Sequence, residues 1–331
     1  MFTLNKKIIS IDDLSSINEL LNSGIPIKDA FRIIENSSNK EVIDEIIDKL
    51  DRGLLIEEFI FMYLPREINP YMKALIMNMS FEESIKLSLS FYKESKENSD
   101  DLSKALLYPL ILLFITLSAI YLFDAYGLDA IMEMLKSFDS DIKSFTVMRV
   151  ILRIIVYIFY YGMLIMFVLA LYFLNDKNIS LFYILMSKYF PDSIVQVYFC
   201  EQFISMFLIC YRLGYKTKES IEILNSLHTK PIVSLLSFHM EEKLLKGATL
   251  KEASVQKYYD STLTKYLNIA LLSRDFNRIL SDYVTLSKRK NKRTIQQLTS
   301  LVQISSYVGV GLVIVFIYQV LFLPMQALSN F

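Results

Sequence analysis

The sequence predicts an all-α membrane protein built from two homologous helical bundles, about six helices each, and three transmembrane helices. Three observations carry this expectation. Uncharged apolar runs occupy residues 105–123, 154–174 and 294–331, and a bilayer-spanning helix needs about 20 such residues. The charged stretches between them repeat apolar residues at helical spacing, with no clear strand alternation. A segment near residue 20 also recurs near residue 210, which marks an internal repeat.

Composition bounds the classes first. The chain has 331 residues, of which 53% are hydrophobic and 21% charged, and its mean hydropathy is +0.36. Apolar content therefore exceeds the soluble norm, so greasy and charged stretches must be segregated. Basic and acidic side chains number 35 each, which leaves no excess positive charge for sequence-independent nucleic-acid binding. Cys200 and Cys210 stand ten residues apart in one helical-looking run. At 1.5 Å per residue that is roughly 15 Å, too far for a disulfide. After Lys6 and Lys7 the apolar stretch ends at Asp12 and Asp13, so no signal peptide is expected and the N-terminus should be cytoplasmic.

Residues 1–104 form the first expected bundle. Leu14, Ile17, Leu20 and Leu21 share a helix face, as do Ile43, Ile46, Ile47 and Leu50, with Asp44, Glu45, Asp48 and Lys49 opposite. Gly24 should end one helix in a left-handed conformation, and Pro26 suits the first turn of the next, where its missing donor is not needed. Residues 105–123 are the first expected span, residues 124–153 a short extracytoplasmic loop, and residues 154–174 the second span.

Residues 175–301 form the second bundle. Within it Ile194 to Tyr211 is apolar but carries Glu201 near its middle, and a central carboxylate costs a few kcal/mol in a membrane, so a buried core helix is expected there. Gly214 repeats the turn of Gly24, and Thr249 with Glu252 has capping-box spacing just after Gly247. The third span is placed at 302–323, ended by Pro324, with an extracytoplasmic tail at 324–331. Lys104, Lys177 and the cluster Lys288, Arg289, Lys290, Lys292 and Arg293 flank membrane ends, which puts both bundles in the cytoplasm and the C-terminus outside. Arg149 and Arg153 beside the second span argue mildly the other way.

The repeat aligns Leu21 to Ile34 with Tyr211 to Leu224 at an offset of 190, Gly53 to Glu58 with Gly247 to Glu252 at 194, and Ala74 to Ile76 with Ala270 to Leu272 at 196. Charge divides unevenly between the copies. Residues 1–104 hold 13 basic and 19 acidic side chains, a net of −6, and residues 175–293 hold 18 and 11, a net of +7. Opposite charge can attract a partner, and Lys243, Lys246 and Lys251 around the Gly247 turn are the candidate partner-binding residues.

The sequence contains no GxxxxGK[ST] loop, GxGxxG, HExxH or CxxC. His228 and His239 are too far apart along a helix to share a metal, and the adjacent acid pairs point to different sides. No catalytic, cofactor-binding or metal residue is expected. Ionisable residues are absent from the three spans, which weighs against an ion pathway. The basic run at 288–293 reads as a membrane-surface anchor for lipid rather than a nucleic-acid contact.

The order of these features resembles the type II secretion system F protein family. It is carried by Leu20, Gly24, Pro26, Ala30 and Ile34, by Gly53, Ile56 and Glu58, and by the Tyr108-Pro109 pair opening the first span. It continues through Phe190-Pro191, then Phe199 to Phe203 leading into the second glycine turn at Gly214, Gly247 with Glu252, and a last span closed by Leu323-Pro324. It covers residues 11 to 331 and rests on the order of the motifs and the duplicated layout. That family comprises the inner-membrane platform proteins of type II secretion, type IV pili and the Gram-positive competence pilus. The resemblance implies a non-enzymatic, homo-oligomeric platform that couples a hexameric secretion or pilus-assembly ATPase to pilins or pseudopilins. Abundant Ile, Lys, Asn and Ser, with no Trp, points to the competence branch and so to DNA uptake.

One departure matters. The family's Gly-Glu-x-Ser/Thr-Gly element is replaced here by Asn78 to Glu82 and Ser273 to Asn277, so the resemblance carries no metal or turn role to their acids. The alternatives are a membrane permease subunit of a transporter, separated by whether the gene neighbours an ABC ATPase, and an intramembrane enzyme, for which the spans offer no matched polar residues.

Overall fold

Short apolar stripes joined by glycine turns dictate what the computed structural model shows: a chain of α-helices with no strand among the described residues. Residues 8–127 and 176–329 are described, together with scattered positions between 129 and 172. Most of the expected loop 124–153 and span 154–174 lies outside the described residues.

Helix α1 spans Ile11–Asn22, with Ser10 accepting from the Asp13 N–H at its start and Leu14, Ile17 and Leu21 buried. It is followed by α2 (Ile27–Ile33), α3 (Lys40–Asp51), α4 (Ile56–Phe59) with a 3₁₀ turn at Ile60–Met62, α5 (Asn69–Leu75) and α6 (Phe81–Leu122). A π turn over Phe123–Gly127 follows α6. The chain resumes with α7 (Asp176–Tyr189), α8 (Ile194–Arg212), α9 (Thr217–Asn225), α10 (Pro231–Leu245), α11 (Leu250–Ser254), α12 (Ser261–Leu272) and α13 (Phe276–Ser329).

Four turns have the same construction. Gly24, Gly53, Gly214 and Gly247 all take positive φ, from 80° to 97°. At Gly24 the glycine N–H bonds the Leu21 carbonyl, and the Ile25 N–H reaches back to Leu20. Gly214 does the same with Tyr211, and Tyr215 with Cys210. These paired bonds satisfy two carbonyls that the helix end would leave orphaned, and only glycine takes the turn conformation without Cβ strain. Gly53 and Gly247 repeat the pattern on Leu50 and Leu244. After the turns at Gly24 and Gly214 the two segments differ in a way their side chains explain. Lys216 donates its backbone N–H to Glu219, whereas Pro26, 190 positions earlier, caps α2 and has no N–H to offer Asp29.

The described chain divides into two compact units. The first comprises residues 1–99 and 176–289, and the second 100–175 and 290–331. Inside the first unit there are two apolar cores. One is built on α1 to α6, around Leu14, Phe31, Ile43, Ile46 and Ile60. The other is built on α7 to α13, around Phe203, Leu224, Leu236, Leu263 and Tyr283. Helices α5 and α6 are the wall between them: Met72 and Phe81 face the first core, while Tyr71, Leu87 and Phe91 face the second.

Helix α8 is the one helix among the described residues that is long and apolar enough to cross a membrane, yet 67% of it is buried inside the protein. Glu201 at its centre is 1% exposed. In the second unit, apolar side chains such as Leu107, Phe114, Ile158, Tyr161, Ile304 and Tyr318 are exposed. Gly309 of α13 lies beside Ile120 of α6, and Arg153 Nε donates to both carboxylate oxygens of Asp124 at 3.1 and 2.8 Å. The charge of Arg153 is thus matched within the unit.

Two boundaries differ from expectation. No helix opens at Tyr108-Pro109, because α6 runs through both residues, and α13 runs through Pro324 to Ser329 instead of ending there. An interior proline removes one N–H bond to the carbonyl four residues back, while the bonds on either side persist. The side chains of Pro109 and Pro324 lie outside the described residues.

Candidate functional site

A cluster of buried and half-buried charge lies along the wall between the two cores. Helix α6 presents Glu94, Ser95 and Asn98 toward the second set of helices. Ser205 of α8 donates to Glu94 Oε1 at 2.6 Å, Lys288 of α13 donates to the same oxygen at 2.9 Å, and Asn98 adds a bond at 3.2 Å. Lys288 Nζ also stands 3.8 Å from Glu201 Oε1. That is ion-pair distance but too long for a hydrogen bond, and this oxygen has no hydrogen-bond partner. Next to this group, Lys230 at the start of α10 donates to Ser95.

The electrostatics follow from burial and partner number. Burial alone would push the Glu94 carboxyl up, but the bonds from Ser205 and Lys288 outweigh it and hold it below the usual range. Burial would lower Lys288, and the hydrogen bond to Glu94 with the Glu201 charge raises it instead. Glu201 has only a distant share of Lys288, so burial dominates and pushes it up to about 7. Two carboxylates thus divide one ammonium, and the better-bonded one holds the charge more firmly. Lys230, half-buried with no acid at ion-pair distance among the described residues, is lowered by desolvation.

Arranged this way, the group ties α6, α8 and α13 together across the junction of the two helix sets. Helices α6 and α13 also supply residues to the second unit. Glu201 was visible in the sequence as a polar interruption of an apolar run. Glu94 and Lys288 were not, since they are 194 residues apart; Glu94 sits in a charged stretch typical of a solvated face, and Lys288, expected in the membrane-flanking cluster 288–293, is instead half-buried and paired with Glu94.

The residues expected from the sequence are spread through the fold. Gly24, Gly53, Gly214 and Gly247 form the four turns, Ala30 is fully buried in the first core, and Pro26 precedes α2. Glu252 completes a capping box with Thr249, whose N–H it accepts at 2.8 Å. Its repeat partner Glu58 has no such role, because Leu55 stands at the capping position of α4. Tyr108 is exposed on α6. Pro191 lies in the α7–α8 turn, beside Asp192 at φ 58°. Cys200 and Cys210 are both buried and free.

The three candidate lysines differ. Lys243 donates to the Glu252 and Val255 carbonyls at 3.3 and 3.1 Å, tying α10 to the end of α11. Lys246 pairs with Glu242 one turn back, and Lys251 is exposed. Asn78 to Glu82 and Ser273 to Asn277 form the short turns that open α6 and α13. His239 stacks on Tyr258 with ring centroids 4.4 Å apart, and His228 is exposed. No group of three or more His, Cys, Asp or Glu that could hold a metal ion occurs among the described residues. No protein-family model matches the chain, and no curated protein matches it.

Proposed function

We propose that the chain is a non-enzymatic cytoplasmic-membrane platform of a pilus-like or type II secretion machine, which couples a soluble motor ATPase to pilin assembly, in the competence branch to DNA uptake. On this reading residues 105–123, 154–174 and 302–323 span the bilayer, and the helix sets α1–α6 and α7–α13 are duplicated cytoplasmic bundles. The observation that carries it is the course of α6 and α13. Each starts inside the charged helical unit, where Lys288 joins α13 to Glu94 of α6, and continues as one helix into an uncharged apolar stretch. A force applied to the bundles would reach the membrane along these two helices. Arg289, Lys290, Lys292 and Arg293, all exposed on α13, sit where an anionic leaflet would hold them.

The test is binding of the secretion ATPase encoded beside the gene to the purified full-length chain. Co-purification at low salt that weakens as salt rises is expected, since exposed charges are screened over about 8 Å at physiological ionic strength. Absence of binding at low salt, or a gene neighbourhood holding an ABC ATPase in place of secretion ATPase and prepilin genes, would overturn the reading.

A further inference from the structure

A groove opens in the second core's outer wall. It has a volume of about 850 Å³ and runs between the α7–α8 turn and the segment joining α11 to α12. Lys188, Lys243, Lys257 and Lys265 line it, and Asp192 is the acid that faces them. Asp192 is already committed, because its carboxylate accepts from the Ser261 N–H at 2.7 Å and the Ser261 hydroxyl at 2.9 Å. Lys243 is engaged with carbonyl groups. Lys188, Lys257 and Lys265 are exposed and have no carboxylate within ion-pair distance among the described residues.

The groove is held in shape before anything binds. Gln196, almost wholly buried, accepts from the Asp192 N–H at 2.8 Å and donates to the Lys257 carbonyl at 2.9 Å, so one side chain pins both walls. The Tyr183 hydroxyl donates to the Tyr258 carbonyl, and the Tyr258 ring is stacked on His239. A loop fixed in this way loses little entropy on binding. Val255, 60% exposed, and Pro191 add apolar surface at the rim.

We propose that this groove docks an acidic peptide segment of a partner protein, with carboxylates against Lys188, Lys257 and Lys265 and an apolar side chain against Val255 and Pro191. Charge complementarity chooses this occupant, since residues 175–293 carry a net of +7. Nucleic acid fits less well. Base stacking needs free aromatic faces, and Tyr258 is covered by His239 while Tyr259 is buried. The groove stands independently of the membrane reading and of who carries the segment.

Fluorescence anisotropy of a short labelled Glu-rich peptide with the full-length chain in detergent tests it. Saturable binding at low salt is expected, weakened about tenfold or more by Lys257→Glu with Lys265→Glu, and weakened as salt rises. Lys246→Glu with Lys251→Glu makes the same charge change outside the groove and should weaken binding by less than about threefold, as general attraction alone is screened. Lys188→Glu gives a second variant if the first loses helicity by circular dichroism. Absent binding, equal loss in both pairs, or tighter binding of an oligothymidine would overturn the proposal.

Discussion

Lys288 and Glu94 meet at 2.9 Å across 194 residues of chain, and this contact joins the two long helices of the fold. Lys288→Met would leave Glu94 and Glu201 without their shared cation. Breaking a fully buried pair costs about 3–5 kcal/mol, and the Lys288 side chain is 40% exposed, so a loss of about 2 kcal/mol is expected. Adding Glu94→Gln should restore at least half of it, because the carboxylate that held the closer bond to Lys288 is then no longer a stranded charge. Thermal melting of the three proteins checks both statements; a double variant no better than the single would show that the contact is not electrostatic.

Stability should depend on pH through Glu201. Its carboxyl is raised from 4.5 to about 7 by burial, so the folded state holds the proton more tightly than the unfolded one. That contribution is fully present below pH 4.5 and is lost as pH rises through 7, on the order of 3 kcal/mol at ~1.4 kcal/mol per unit. Glu201→Gln should flatten this part of the profile and raise the melting temperature at pH 8. Glu94, lowered by its hydrogen bonds, acts in the opposite sense, with stability present above its ordinary value and lost as pH falls below it. Melting between pH 4 and 8 with each Gln variant separates the two.

The glycine turns predict a strain effect free of packing. A Cβ built on Gly214 meets nothing within 4 Å, yet φ is 97°. Gly214→Val should therefore cost roughly 1–2 kcal/mol through the backbone alone, and Gly214→Asn less than half as much, since Asn tolerates the left-handed region. Equal melting temperatures for the two variants would contradict this order.

Topology is open to cysteine labelling. Ser137→Cys, in the expected extracytoplasmic loop, should react with an impermeant maleimide in intact cells. Cys200 and Cys210 are buried and give little background. Labelling of the new cysteine only after permeabilisation would reverse the orientation.

The helical class, the turns at Gly24 and Gly214 and the buried character of Ile194 to Tyr211 were legible in the sequence because each depends on neighbours within one or two turns. Apolar spacing sets which face of a helix is buried, a glycine after the last turn sets how it ends, and a carboxylate inside an apolar run asks for a protein interior.

What brings residues together over long separations was not legible. That α5 and α6 divide their faces between two cores, that Glu94 and Glu201 share Lys288, and that Lys188, Lys257 and Lys265 surround one groove are consequences of packing. The sequence reading named Lys243, Lys246 and Lys251 because they are close in the chain; Lys246 pairs with Glu242 on its own helix, while packing gives Lys243 carbonyl partners and gathers three other lysines that lie as many as 77 positions apart. Periodicity records burial of single residues, whereas a charge pair or a groove depends on distances that exist only once the helices have packed.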